Sequence, residues 1–365
     1  NKGYKKLEGI VITRYGHKRK NKNIKILEAA HPVPDKAGLS ATNDIINLIK
    51  PLTSKDLVIV LISGGGSSLL VSPLGKVSLK EKQNLTNQLL RCGATISEIN
   101  SVRKHLSRVK GGKLASFAYP AKVITLAISD VPGDDFSTIA SGPTYPDHTS
   151  NKDAIEVLSK YNISISKNIE NILRSDTCET PKETDKIFDN AKFNIIAKPQ
   201  NALIKASKVA KIKKFNTLIL SDSIEGESND VGLMHSAIVK QVLRFGQPAK
   251  TPLCILSGGE TTVTIKKDNG KGGRNTQFLL SLVIALGATN NVYAIACDTD
   301  GIDGSEDNAG AIMYPNTLQR AYDKGLNPKE YLERNDAYSF FKILGDIIKT
   351  GPTHTNVNDF RAILI

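Results

Sequence analysis

Six consecutive apolar residues, Leu57–Ile62, run directly into a turn of three glycines flanked by serines. An uninterrupted, mostly β-branched run of this length predicts a buried parallel strand. Glycines let the backbone approach a ligand, and free N–H groups where a helix begins favour an anion. The stretch fits either an ordinary strand-to-helix turn or a phosphate cradle. The cradle residues would be Ser63, Gly64, Gly65, Gly66, Ser67 and Ser68.

Short apolar runs alternate with amphipathic stretches along the whole chain. This alternation predicts an α/β fold with mostly parallel sheets flanked by helices. The predicted strands are Gly9–Thr13, Leu57–Ile62, Lys122–Ile128, Phe193–Ile196, Asn216–Leu220, Leu253–Leu256, Thr261–Lys266 and Val292–Cys297. The predicted helices are Ala37–Ile49, Leu79–Cys92, Ile96–Leu106, Asp153–Lys160, Ile169–Leu173, Asn201–Ala210, Gly232–Phe245, Asn275–Leu286, Thr317–Lys324, Pro328–Arg334 and Tyr338–Leu344.

A length of 365 residues favours two domains. The polar segment Ser175–Asn190 is the best candidate boundary, so we expect domains at 1–185 and 190–365. Three loop types also recur in the same order in the two halves: a Ser-Gly-Gly turn, an acidic loop and a Gly-Pro-Thr segment. Either two related domains are present, or loops of parallel sheets have converged.

Net charge and composition limit the classes of binding partner that this chain is expected to have. A net charge of +13 fits an anionic small molecule or nucleic acid. Aromatic residues make up only 5% of the chain and tryptophan is absent, which disfavours base stacking and a nucleic-acid partner. No apolar run approaches the roughly 18 residues of a membrane helix, so we expect no membrane partner.

The four cysteines are far apart and form no C-x-x-C motif. This spacing argues against a zinc site and for a reducing compartment, so we expect a cytoplasmic protein.

Two acidic loops follow predicted strands. The first contains Asp130 and Asp134, and the second contains Asp300 and Asp303. Carboxylates gathered at the carboxyl ends of strands can hold Mg²⁺, which prefers oxygen ligands. The alternative is a pair of Asx-turns with no ligand.

Basic residues supply the opposite charge. Arg274 stands between glycines and Asn275, where Asn275 is the expected cap of a helix. An arginine held by a tight turn suits bidentate capture of a phosphate or carboxylate. A second basic cluster begins with Arg103 and Lys104 and ends at Lys113. The alternative for either basic segment is a solvated loop without a ligand. This alternative is more plausible for Lys110 and Lys113 than for Arg274.

His31 lies in a loop that two prolines make rigid, and it fits a ligand contact as well as a packing role.

Taken together, these motifs resemble the glycerate 2-kinases whose C-terminal half is called the MOFRL domain. The matching segments run in the family's order: Tyr15–His17, His31–Asp35, Ser63–Ser68, Asn100–Ser107, Lys110–Gly112, Ser129–Asp134, Ile139–Thr144, Ser257–Thr261, Gly272–Asn275, Asp300–Gly304, Gly351–Thr353 and Thr355–Val357. His354 and Ala30 stand where the family usually has glycine. Family members also begin with a lysine-bearing segment, and this chain is expected to start after it.

The resemblance implies transfer of the ATP γ-phosphoryl group to the 2-hydroxyl of D-glycerate with Mg²⁺, at a cleft between two α/β domains. A hydroxypyruvate reductase is one alternative, although no dinucleotide pattern follows a predicted strand. A non-catalytic binder of phosphorylated metabolites is the other alternative. The oligomeric state stays open.

Roles follow for individual residues. Arg274, Lys104 and Asp130 are the expected catalytic residues. The metal candidates are Asp134, Asp300 and Asp303. The expected phosphate- or substrate-binding residues are Ser63–Ser68, Arg103, His31, Glu260, Asn275 and Asn356.

Overall fold

The computed structural model describes residues 7–265, 270–289 and 291–365. The chain divides into two compact units. The first comprises residues 7–127 and 134–196, and the second comprises residues 128–133 and 197–365 without the undescribed positions. The predicted boundary near residue 185 stays a prediction.

The first unit is built on two small sheets. One pairs β1 (Gly9–Arg14) with β2 (Ile24–Ala29) in parallel. The other has the order β3-β4-β5, from β3 (Leu57–Ile62), β4 (Lys122–Ile128) and β5 (Ala191–Ala197). Its helices are α1 (Lys36–Ile49), α2 (Gly66–Leu69), α3 (Leu79–Arg91), α4 (Ile96–His105), α5 (Lys113–Ala118), α6 (Asn151–Lys160) and α7 (Lys167–Leu173).

Strand β3 is parallel to β4, as its apolar sequence predicts, but it is buried on one face only. Val58 and Val60 pack with Ile46 and Ile49 of α1, whereas Leu61 is 71% exposed. The prediction of a fully buried strand was therefore wrong, because β3 lies at the edge of its sheet and a helix covers a single face.

The second unit is built on one six-stranded sheet of order β10-β9-β8-β11-β7-β6. The strands are β6 (Asn216–Glu227), β7 (Leu253–Thr262), β8 (Tyr293–Asp298), β9 (Gly310–Met313), β10 (Ile347–Ile348) and β11 (Asp359–Leu364). The helices are α8 (Pro199–Ile212), α9 (Ser228–Phe245), α10 (Arg274–Leu286), α11 (Thr317–Asp323), α12 (Pro328–Glu333) and α13 (Ala337–Leu344). Helix α10 is the most deeply buried, with Phe278–Leu280 fully enclosed in the apolar core.

The α/β class is confirmed, and every predicted helix is present. Parallel pairing holds for β6 and β7, but β11 pairs antiparallel with both β7 and β8, and β8 pairs antiparallel with β9. The expectation of mostly parallel strands therefore holds in the first unit and not in the second. Strand β11 was not predicted. It lies between β7 and β8 and runs antiparallel to both, which makes the middle of this sheet antiparallel.

The Ser-Gly-Gly segments that recur in the two halves also differ in structure. In the first unit, Ser63–Gly66 leave the strand, but in the second, Ser257–Gly259 continue β7. The strand predicted at Thr261–Lys266 is only the end of β7, which stops at Thr262, and Lys266 lies outside the described residues.

Candidate active site

The glycine turn of the first unit packs against the proline-flanked histidine. Gly65 has a φ of +79°, and a Cβ atom at this position would lie 2.8 Å from His31 Cδ2. Only glycine combines that backbone angle with so close an approach. The structure thus brings the predicted residues His31 and Gly65 together.

Ser67 is the centre of a group of polar contacts behind this turn. Arg103 Nη2 donates to Ser67 Oγ at 2.7 Å. Lys110 Nζ donates to the Ser67 carbonyl oxygen at 2.6 Å and to its Oγ at 3.0 Å. The Ser67 and Ser141 hydroxyls are 2.8 Å apart, and Ser141 Oγ donates to Asn100 Oδ1. Ser68 is buried beside this group, while Ser63 is exposed.

Lys110 and Lys113 are buried, which overturns the view of this cluster as a solvated loop. Lys110 is 1% exposed and Lys113 is 9% exposed. Lys113 Nζ donates to the carbonyl oxygen of Cys178, and burial lowers its pKa to about 8. The glycines that follow Lys110 turn the chain inward, where Gly111 and Gly112 donate to the carbonyl oxygens of Ser141 and Gly142.

The side chain of Lys104 does not hydrogen-bond to Ser67, unlike that of its neighbour Arg103. Its Nζ forms a buried ion pair with Asp147 Oδ1 at 3.1 Å. This contact makes Lys104 part of the internal structure of the first unit and directs its charge away from Ser67. The catalytic role expected for Lys104 stays a prediction, and its ammonium is buried with Asp147 rather than exposed to a cleft.

In the second unit, the acidic loop caps helix α10. Gly273 is the N-cap residue and Arg274 begins the helix. Asp303 accepts hydrogen bonds from the backbone N–H groups of Asn275 and Thr276 at 2.9 and 2.8 Å. The predicted cap, Asn275, is therefore inside the helix, because the Asp303 carboxylate reaches the free N–H groups first.

Arg274 is held by three carboxylates, each through a different nitrogen. Its Nε donates to Asp359 Oδ1 at 2.6 Å, Nη2 to Asp298 Oδ2 at 2.8 Å, and Nη1 to Glu260 Oε1 at 3.0 Å. Three divergent contacts fix the plane of the guanidinium, which a lysine ammonium cannot reproduce.

Behind Arg274, Asp359 also pairs with Arg361, and both side chains are fully buried. The Arg361 guanidinium lies over the Phe278 ring at 4.9 Å, and Asn275 Nδ2 donates to Asp359 Oδ1 at 2.8 Å. Asp359 is thus a shared acceptor that connects the guanidinium of Arg274 to the core.

The acids around Arg274 have unusual proton affinities. Burial and the charges of Asp300 and Asp359 raise the pKa of Asp298 to about 7, against the pull of Arg274. Burial also raises the pKa of Glu260, with Asp130 contributing repulsion. The three carboxylates raise the pKa of Arg274, so its positive charge is permanent.

These residues line a cleft of about 580 Å³ within the second unit. Arg274, Glu260, Asp300 and Asn356 face it, as does Asp298. Asp303 and Asn275 are buried beneath the cleft instead. Asp130 lies nearby, since its carbonyl oxygen accepts from Asn358 Nδ2 at 2.8 Å. Asp134 belongs to the first unit.

Two family models match the chain. The domain of unknown function DUF4147 matches residues 1–174, and the MOFRL family matches residues 253–359. The D-glycerate 2-kinase of Thermotoga maritima is 43% identical over 364 residues, which are 100% of this chain and 85% of that protein. The chain belongs to the glycerate 2-kinase family.

The structure of a family member has the same fold. The crystal structure of glycerate kinase from Thermotoga maritima has a TM-score of 0.90 at 42% identity, and it covers 98% of this chain and 85% of that chain. Another relative, from Agrobacterium vitis, is 49% identical over 98% of this chain and 81% of its own length, and is provisionally named as a hydroxypyruvate reductase.

The described residues contain no group of three or more His, Cys, Asp or Glu side chains arranged to hold a metal ion. In the same part of the chain, every helix is too short or too polar to span a bilayer. The predicted ligand Asp303 has both carboxylate oxygens engaged by helix α10, whereas the predicted ligand Asp300 lines the cleft.

Sequence reasoning missed Asp359, Asp298 and Lys110. Asp298 precedes Asp300 in the loop already singled out, so a local signal was present. Asp359 carried no such signal, because its role depends on the register that sets it opposite both Gly259 and Asp298. Lys110 lies in a motif and a basic cluster that were singled out, but a solvated loop was left open as an alternative for it and no role was assigned to it.

Proposed function

We propose that this protein transfers the γ-phosphoryl group of ATP to the 2-hydroxyl of D-glycerate. Membership of the family and the name of the Thermotoga maritima relative support this activity. The observation that carries the proposal is Arg274, fixed by Asp298, Glu260 and Asp359 at the wall of a cleft. Phosphoryl transfer depends mainly on positioning and on neutralising charge, and this arrangement supplies both.

Arg274 is the residue we assign to the transferred phosphoryl group. A guanidinium has five N–H donors, and three contacts hold it within the protein, so the others are available to a ligand. Its side chain is 22% exposed, which leaves an accessible edge facing the cleft. Because its orientation is set before the ligand binds, no free energy is spent on reorganising it.

Asp298 is the residue we assign to the proton of the 2-hydroxyl. Its carboxylate lines the cleft, and its pKa of about 7 makes it a general base matched to neutral pH. The hydroxyl proton moves to the carboxylate, the alkoxide oxygen forms the new bond to phosphorus, and the bond from phosphorus to the β-phosphate bridging oxygen breaks.

ATP and Mg²⁺ are the cofactors we propose. Mg²⁺ usually takes one or two protein carboxylates and completes its ligand set with waters and phosphates. Asp300 and Glu260, both on the cleft, have the oxygen donors that fit this chemistry. When bound, the ion would supply further positive charge against the phosphate oxygens. Because all four cysteines are unpaired, we propose the reducing cytoplasm as the location.

A coupled assay tests the proposal on the full-length protein. ATP, Mg²⁺ and D-glycerate are supplied with enolase, which accepts 2-phosphoglycerate and not the 3-phospho isomer. We expect ATP-dependent turnover, and we expect Arg274→Lys to lose about 10²–10³ in kcat because lysine cannot reproduce the fixed fork.

The name of the Agrobacterium vitis relative provides the competing result. Reduction of hydroxypyruvate with NAD(P)H and no ATP-dependent turnover would contradict the kinase and support the reductase. Binding of both substrates without any turnover would instead support a non-catalytic binder.

A further inference from the structure

The first unit contains a group of buried cations without buried counter-ions. Lys110 is 1% exposed and Lys82 is 6% exposed, and Arg103 is half-buried beside them. Lys82 Nζ donates to the carbonyl oxygens of Arg103 and Leu106. The cations therefore meet neutral oxygens only: the hydrogen bonds and ion pairs of these three residues, among the described residues, include no carboxylate.

The same unit shows what a balanced buried lysine looks like. Lys104 follows Arg103 directly and is as deeply buried as Lys82, but it pairs with Asp147 at 3.1 Å. Removing a cation from water is unfavourable unless an opposite charge compensates it. Lys104 has that compensation and Lys110 does not.

Mutual repulsion is visible in the proton affinities of these groups. Burial, followed by repulsion from Arg103 and Lys82, lowers the pKa of Lys110 well below its usual range. Burial lowers the pKa of Lys82 to about 7, with added repulsion from Arg103 and Lys113. Arginine does not lose its proton in proteins, so the charge of Arg103 remains.

We propose that Ser67, Arg103 and Lys110 bind one oxyanion group of a substrate, either a phosphate or a carboxylate. Arg103 and Lys110 donate to the same hydroxyl, at 2.7 and 3.0 Å, so their charges converge on a single point. An oxyanion there would balance the charge that the protein leaves uncompensated. The identity of the substrate rests on the kinase function proposed above, whereas the oxyanion site does not.

The glycine turn lies beside this point. Gly64, Gly65 and Gly66 are half-buried, as are Ser67 and Arg103. His31 is exposed and its ring packs against Gly65. Because glycines carry no side chains, an oxyanion can approach the backbone closely here.

Binding of simple anions to the full-length protein tests the site independently of turnover. Inorganic phosphate, ADP and D-glycerate are each titrated by thermal shift and calorimetry at constant ionic strength, with chloride as the reference. Lys110→Met keeps the length of the side chain and removes its charge. Lys113→Met is the matched control, since Lys113 is also buried but donates to Cys178.

We expect Lys110→Met to raise the Kd of the bound anion tenfold or more, while the unliganded protein melts at the same or a higher temperature. A lysine that merely supports the Ser67 carbonyl would lower the melting temperature when removed. Lys113→Met should keep the Kd of the wild type. Loss confined to phosphate and ADP identifies a phosphate site, and loss confined to D-glycerate identifies a carboxylate site.

Proton uptake provides a second measurement. Burial and the charges of Arg103 and Lys82 lower the pKa of Lys110, and a bound anion would raise it again. Calorimetry in two buffers of different ionisation enthalpy, repeated over a pH series, should therefore show more proton uptake on anion binding in the wild type than in Lys110→Met.

Unchanged binding of all three ligands in Lys110→Met would overturn the proposal. So would an equal loss of binding in Lys113→Met. Neither result depends on kinase turnover, so failure of this site and failure of the proposed function are separate outcomes.

Discussion

Arg274 in the second unit and Lys110 in the first are both basic residues beside glycines, but the fold surrounds them in opposite ways. Arg274 is enclosed by Asp298, Asp359 and Glu260, while Lys110, within the described part of the chain, donates to the oxygens of Ser67 and to no carboxylate. The first arrangement balances the charge within the protein, and the second leaves it unbalanced.

The difference separates two uses of a buried cation. A balanced cation is held in one orientation and can act on a ligand without moving, which suits a reaction site. An unbalanced cation lowers the stability of the free protein and is compensated when an anion binds, which suits a binding site. The following predictions test this contrast by disturbing one site while the other serves as reference.

The largest effect is expected at Asp359. In Asp359→Asn, Arg361 loses its buried counter-ion and Arg274 loses the contact to its Nε. Breaking a buried pair on one side costs about 3 kcal/mol or more in the free energy of unfolding. Urea denaturation should show this loss, in contrast to Lys110→Met. A loss below about 1 kcal/mol would mean that the pairing around Arg274 contributes little.

A pH-dependent effect of intermediate size is expected at Asp298. Its pKa is raised from 3.8 to about 7, so the folded protein holds this proton more tightly than the unfolded chain does. The stabilisation is complete below pH 4 and is lost as pH rises through about 7.

Asp298→Asn removes this titration. The variant should match the wild type in stability near pH 4 and exceed it at pH 8, by on the order of 2 kcal/mol. Chemical denaturation at the two pH values measures the difference. A variant that is less stable than the wild type at pH 8 would show that the ion pair with Arg274 outweighs the burial of Asp298.

The smallest effect is expected in the glycine turn of the first unit. Gly65 and Gly16 have nearly equal φ angles of +79° and +80°, but only a Cβ at Gly65 meets another group, the His31 ring. Gly16→Ala should cost about 1 kcal/mol for its backbone angle alone. Gly65→Ala should cost about 1 kcal/mol more, because the ring must move. If the two variants lost the same stability in thermal denaturation, the His31 ring would not restrict the space at Gly65.

Much of the fold follows from local patterns. The capping boxes Ser78 with Glu81 and Thr95 with Glu98 start α3 and α4 where the apolar periodicity begins, so both helices could be predicted. The single-turn helix α2 and the two-residue strand β10 could not, because they are too short to show a period.

The candidate site was only partly predictable. Arg274, Glu260, Asp300 and Asn356 were singled out, and all four face the cleft of the second unit. Their chemical roles remain predictions. Asp303 was singled out for the same reason as Asp300, but its carboxylate is used to cap α10, a choice that depends on which helix end lies within reach.

The places where charge and glycine occur together can be read directly from the sequence, because the acidic loops, the Ser63–Ser68 turn and the Arg103–Lys113 cluster are continuous segments. Which of these charges are balanced depends on how the chain folds. Asp359 meets Arg274 because β11 inserts between β7 and β8, and Lys110 is buried because its loop packs against Ser141 and Gly142. Charge is a property of each residue, whereas its compensation depends on distances and burial that sequence-distant segments create together.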